Sequence, residues 1–218
     1  EEGGASSSEG SDLSSASYTV AQGFRAGVYE RVVEFVPYVQ NSSTQVAATA
    51  FASNVVSVST AAGFSAGDYI LIVQNEGATQ VSAMAKVLSV VLSPPSVTID
   101  ADYAGSTPTI DGSNDYVYEM DSTTTIALGT LAASTVTTHT IGWVATSDVD
   151  SGYSVYMFSD GNFRSGSTSI AAVSDGTVSA GSSEYGGRSS DTTLASSTFD
   201  TQDTPFSTTP ALVAREAS

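Results

Sequence analysis

The chain contains no cysteine, a single lysine (Lys86) and a single histidine (His139) in 218 residues. Without a thiol there is no disulfide staple, no thiolate nucleophile and no sulfur ligand for zinc or an iron–sulfur cluster. One imidazole leaves little for acid–base work, and no G-x-S-x-G elbow occurs to activate a serine. Cationic groups are equally scarce: six Lys and Arg stand against 23 Asp and Glu, for a formal charge of -17. Such a surface repels phosphate backbones, so nucleic acid is excluded as a partner. Long apolar runs are missing too. The most apolar stretch, Met84 to Leu92, is broken by Lys86 and Ser89 and closed by Pro94 and Pro95. That falls short of the roughly 18 apolar residues of a spanning helix, so no membrane insertion is expected of the mature chain.

What is present is β-signal. Roughly three residues in ten are Ser or Thr, well above ordinary usage, and they sit inside the strand patterns as well as between them, as on a hydrated β-surface. With 40% hydrophobic residues and a mean hydropathy of +0.05, the chain has enough apolar material to fold despite its charge. At this length folding buries roughly 70% of the unfolded surface, so a core needs no staples. The sequence opens at Glu1 without a charged-then-apolar leader, as an exported chain reads once its signal is removed. The expected location is extracellular, at a cell surface or in a filament.

Residues Glu1 to Ala16 hold one large apolar side chain, Leu13, among Ser, Gly and acids, and read as a flexible tail. Strand patterns begin at Ser17 with Tyr18, Val20, Val28, Val32, Val33, Phe35 and Val36. Between Thr44 and Met120 the spacing predicts a small barrel: strands over Asn54–Thr60, Tyr69–Val73, Val81–Leu92 and Ser96–Asp100, with a turn over Ala61–Asp68. Ala83–Leu88 has some helical propensity, but Val87, Val90 and Val91 favour strand. Beyond Asp121 alternation predicts strands over Thr123–Leu131, Val136–Ala145 and Tyr153–Phe158, with Trp143 as a core anchor. From Asp175 onward long loops are expected, pinned by Val178, Tyr185, Leu194, Phe199, Phe206, Leu212 and Val213. The fold class is all-β: a Greek-key-like β-sandwich of residues 17–43 and 121–218 with an inserted barrel of residues 44–120. Gly23-Phe-Arg-Ala-Gly-Val-Tyr29 and Gly63-Phe-Ser-Ala-Gly-Asp-Tyr69 share a bend in which the Phe can plug the end of a core; their flanks match poorly, so this is recurrent turn chemistry, not duplication.

Three stretches carry a resemblance: Tyr18 to Val28, Ser151 to Gly161 and Ala180 to Gly186. Together they resemble a loosely defined group of secreted β-sandwich surface proteins of uncultured small-genome bacteria, with residues 44–120 resembling small barrels that carry a GFxxGD turn. The resemblance implies an exported, surface-displayed sandwich and no catalytic residue. In that group a further Tyr- and Thr-rich hairpin follows, whereas this sequence ends at Pro210-Ala-Leu-Val-Ala-Arg-Glu-Ala-Ser218. A sandwich short of a strand exposes an edge and part of its core, which a strand from a second copy can complete. Leu13, Tyr18 and Val20 are the candidate donor residues. A chain trimmed at its C-terminus is the equal alternative.

Among chemical signals, His139 falls on the Ile141/Trp143 face near a strand start and reads as a half-buried structural histidine; no residue is put forward as catalytic. Asp111, Asn114 and Asp115, with Asp148 and Asp150, place oxygen ligands close together, which leaves calcium open although such residues also form ordinary solvated turns. No other cofactor is expected. Lys86 reads as a lysine that carries its amine to water. Asn41-Ser42-Ser43 fits a glycosylation acceptor at Asn41. Tyr103, Tyr116 and Tyr118 are the tyrosines most open to a sugar face. The expected function is that of a structural subunit of an extracellular filament, pilus-like fibre or surface layer, its partner a second copy of itself. The alternative is a surface adhesin or glycan-binding module that meets a host surface or glycans through the barrel.

Overall fold

In the computed structural model residues 33–77, 79–123, 125–147, 153–165, 168–190, 194 and 198–216 are described. Apart from one 3-10 turn at Ser42–Thr44, every regular element among them is a strand. The first eight are β1 (Val33–Gln40), β2 (Val46–Ala52), β3 (Val55–Val58), β4 (Tyr69–Gln74), β5 (Val81–Leu92), β6 (Pro95–Ile99), β7 (Ala104–Gly105) and β8 (Tyr116–Asp121). They are followed by β9 (Ile141–Ser147), β10 (Tyr153–Met157), β11 (Arg164–Ser165), β12 (Thr168–Ser169), β13 (Ala171–Ala172), β14 (Glu184–Tyr185) and β15 (Ala211–Glu216). The chain is all-β, as its alternation predicts.

The barrel closes. β2 pairs with β3, β3 with β6, β6 with β5, β5 with β4, β4 with β8, and β8 returns to β2 through Val46↔Val117, all antiparallel. Closure leaves these strands no free edge within the ring. Its interior is filled by Ala48, Val56, Val58, Ile70, Ile72, Ala85, Val87, Val97, Ile99 and Val117, with Ala61 and Phe64 at one end. Phe64 is buried in the turn between Gly63 and Gly67, both at positive φ. The plug role read from that bend therefore holds for Phe64; its counterpart near Gly23 lies outside the described residues.

A second core lies on the outside of the ring. Along β4, Ile70 and Ile72 point into the barrel while Leu71 and Val73 point out, so the strand is apolar on both faces and reads as a continuous run. Leu71, Val73, Met84, Tyr118 and Met120 form the outer cluster, with Tyr38 and Val144 packed against it. The ribbon of β1 and β9, paired antiparallel from Val33↔Ser147 to Val39↔Ile141, thus covers this face as a second layer. It approaches closely at Gly142, where a Cβ would lie 2.3 Å from Met84 Sδ. β1 also joins the ring directly, through Val39↔Asp121 and Gln40↔Met120 of β8.

Several expectations need correction. Among the described residues of Thr123–Leu131 no strand forms, and the strand expected over Val136–Ala145 begins at Ile141. Side chains replace the missing ladder: Thr138 Oγ1 donates to Gln80 Oε1 (2.7 Å), Gln80 Nε2 to Thr140 Oγ1 (3.2 Å), and Thr140 N to Gln40 Oε1 (3.0 Å). A Thr-rich segment offers hydroxyls that compete with strand pairing. Trp143 is half-buried, not a core anchor; it stacks on Phe35 with ring centroids 6.3 Å apart. In the C-terminal region Val173, Tyr185, Leu194, Phe199 and Val213 are buried, so four of the expected pins hold. The end of that region is not loop: β15 pairs with β10 from Tyr153↔Glu216 to Met157↔Ala211.

Candidate functional site

Among the described residues the outer edge of β9 is left unpaired: it terminates the sheet order β2-β3-β6-β5-β4-β8-β1-β9, and no strand pairs with its far side. Which groups it presents follows from register. Gln40 N donates to Thr140 O (3.0 Å) and Asn41 N to Glu119 O (2.9 Å), so even residues of β1 face β9 and odd ones face β8. Antiparallel alternation then turns the N–H and C=O groups of Ile141, Trp143 and Ala145 outward. Pro37, opposite Trp143, has no N–H to give, but its position faces away from β9, so the ladder is intact there. The same edge carries the Phe35–Trp143 stack, with Phe35 49% exposed. The proposed donor residues Leu13, Tyr18 and Val20 lie outside the described residues.

A cleft of about 310 Å³ opens beside the barrel end, lined by Tyr38, Asp68, Tyr69, Glu119 and Asp121. Its acids are partly occupied: Asp68 Oδ2 accepts from Ser65 N (2.7 Å), and Asp121 Oδ2 from Asn41 Nδ2 (2.8 Å). Burial first, then the charges of Asp68 and Asp121, hold the Glu119 carboxyl above the usual carboxylate range. Tyr38 and Tyr69 face each other at 4.7 Å, and burial pushes the Tyr38 phenol up. Among the described residues no group of three His, Cys, Asp or Glu is placed to hold a metal ion.

The remaining sequence candidates are dispersed. Asp115 is 2% exposed and accepts three backbone N–H bonds, from Asn75 at Oδ1 (3.0 Å) and from Asp111 (2.8 Å) and Gly112 (3.0 Å) at Oδ2. Asp111 Oδ1 caps Ser113 N (2.8 Å), while the Asn114 side-chain amide donates to Glu76 O (2.9 Å). These oxygens lock one loop pair, an ordinary turn of the kind the sequence favoured over a cation site. Asp148 and Asp150 lie outside the described residues. Asn41 caps the 3-10 turn: its Oδ1 accepts from Ser43 N (3.0 Å) and Ser43 Oγ (2.6 Å). Lys86 is exposed.

His139 lies 3.0 Å from Ser42 Oγ through Nε2, a serine–histidine contact that nothing in the sequence signals. The same Nε2 is 2.9 Å from Ala127 O. A carbonyl only accepts, so Nε2 carries the proton and is not free to take one from Ser42. Nδ1 is buried without a hydrogen-bond partner, so no carboxylate orients the ring as a triad would require. The contact ties the segment around Ala127 to the Ser42 turn. Of the three tyrosines taken as open, Tyr118 is buried at 1% exposure; its hydroxyl donates to Glu76 Oε1 (2.5 Å) and accepts from the Gln45 amide. Tyr116 and Tyr103 are half-buried, the latter edge-on to Phe51 at 6.0 Å. Among the described residues the most exposed aromatics are Phe158 and Tyr156, at 68% and 58%.

No protein-family model, curated protein or solved structure matches the chain. No helix among the described residues is long and apolar enough to cross a membrane.

Proposed function

We propose that this protein is a structural subunit of an extracellular filament or surface layer, built by β-edge contacts between copies, in keeping with the secreted surface sandwiches its sequence resembles. The observation that carries this reading is the outer edge of β9, where outward-facing backbone groups at Ile141, Trp143 and Ala145 lie beside the half-exposed Phe35–Trp143 stack. An edge of this kind is a template for another strand: main-chain bonds supply affinity and alternate side chains supply register. The segment Leu13 to Val20, with apolar residues at Leu13, Tyr18 and Val20, has the strand character to occupy it.

The test is sedimentation and electron microscopy of the purified chain across ionic strength, beside Ala145→Pro. Copies of charge -17 repel, and screening lengths fall from about 30 Å at 0.01 M to about 8 Å at physiological salt, so assembly should strengthen with salt. Proline at 145 removes an outward N–H without touching the β1 ladder and should stop growth. A chain that stays monomeric at every ionic strength refutes the proposal.

A further inference from the structure

A second surface is marked by what it lacks. No Asp, Glu, Lys or Arg occurs from Phe35 to Gly67, and none from Val87 to Ile99. The fold places these separate stretches side by side: β2, β3, β6 and the distal half of β5 are consecutive neighbours in the barrel wall. Their inward side chains fill the core. Their outward ones form two cross-strand rows: Ala50, Ser57, Ser96 and Val91 in the first, and Ala52, Val55, Thr98 and Ser89 in the second. All are uncharged, none is larger than valine or threonine, and none is buried. Val91 within the first row is 45% exposed, and the end of β5 adds Leu88 and Leu92 beside the face, exposed by 53% and 71%.

We infer that this uncharged face of the barrel packs against the same face of a second copy, so that filaments assembled along β9 associate in pairs. The occupant follows from charge. In a chain of net charge -17, surfaces rich in acids bring like charges together when two copies meet, and like-charge juxtaposition costs several kcal/mol. A face without charge avoids that cost, and the centres of protein interfaces are in any case depleted in charged residues, whose desolvation is costly. Short side chains also let two sheets approach closely, at roughly 10 Å.

The size of the face sets the strength. Four strands roughly 4.8 Å apart, two rows deep, present on the order of 300 Å², against about 800 Å² per partner in a stable complex. Isolated subunits should therefore not dimerise through it. Copies already joined in a filament present the face repeatedly, and multivalency makes the weak contact persistent. The inference thus rests on the filament reading and adds to it a second contact with a different role.

Filament width by electron microscopy separates the two. The unaltered chain should give paired filaments, Val91→Glu and Ser96→Glu single ones, and Ala145→Pro none. Filaments that are single in the unaltered chain, or still paired in both glutamate variants, overturn the face contact and leave edge growth standing. Absence of any filament from the unaltered chain overturns both. Ser96→Cys gives a second readout, because the chain has no other thiol. A bis-maleimide cross-linker that spans about 10 Å, applied to assembled material, should trap covalent dimers through position 96, while monomeric Ala145→Pro carrying the same cysteine should give none. If Ser96→Cys is instead unreactive to a thiol probe in monomer and assembly alike, a segment of the same chain covers the face, and the proposed contact is wrong.

Discussion

Replacing Asp115 probes how much of the barrel's integrity depends on one buried carboxylate. Its two oxygens accept three backbone N–H bonds from two loops, at Asn75 and at Asp111 and Gly112. The same junction is closed by Glu76 N to Asn114 O (3.0 Å) and Ala48 N to Asp115 O (3.0 Å). Hydrogen bonds to a charged acceptor contribute about 1.5–3 kcal/mol each. The donors at Asp111 and Gly112 sit on an exposed loop, so water recovers part of their loss once the carboxylate is gone. Asp115→Ala should therefore cost about 3–5 kcal/mol, less than the sum of three bonds. Asp115→Asn keeps the shape and one oxygen and should cost about 2 kcal/mol. In urea, with a slope of about 2 kcal/mol/M, the alanine variant should unfold about 2 M earlier than the parent. Because backbone donors occupy the carboxylate, a chelator should leave the parent midpoint unchanged. An alanine variant within about 1 kcal/mol of the parent, or a midpoint that rises with added calcium, would refute this account of the turn.

Three further outcomes are expected. Phe64→Ala empties the barrel end and should cost about 3–5 kcal/mol, read as a fall in urea midpoint. Burial, with help from Glu76, raises the Tyr118 phenol above its ordinary value near 10, so the fold favours the neutral hydroxyl. That stability is fully present below about pH 10 and is lost as pH rises above it; Tyr118→Phe should lose about 1–2 kcal/mol at neutral pH yet flatten the alkaline decline. Glu119 is also raised, so its contribution is present below its unfolded value near 4.5 and lost as pH climbs through the folded one. Glu119→Gln should be more stable than the parent at pH 7 and indistinguishable at pH 4, and equal stability at both values would contradict the acidic environment assigned to the cleft.

Much of the barrel is legible in sequence because its strands announce themselves locally. Tyr69–Val73 is a short, wholly apolar run, and only a strand buried on both faces suits it, as Ile70 and Leu71 show on opposite sides of β4. β5 has its expected bounds because Pro94 and Pro95 close it and its β-branched residues oppose helix. Phe64 is legible because two glycines bracket it. Less of the candidate surfaces is legible. Thr138 and Thr140 alternate like strand residues, but Gln40 and Gln80, distant in sequence, capture them. Tyr118 is polar at its tip and reads as exposed until the ribbon of β1 and β9 covers its ring. The contact of His139 with Ser42 joins residues 97 positions apart, which no local pattern encodes.

Composition and periodicity by themselves determine that this chain is all-β, strongly acidic and without thiol chemistry, because those properties belong to single residues and near neighbours. Tertiary structure alone decides which strand is left at the edge, which carboxylate is saturated by backbone donors, and that two charge-free stretches form one face. Each of these depends on register between strands far apart in the chain, and a shift of one residue would turn every side chain to the opposite side.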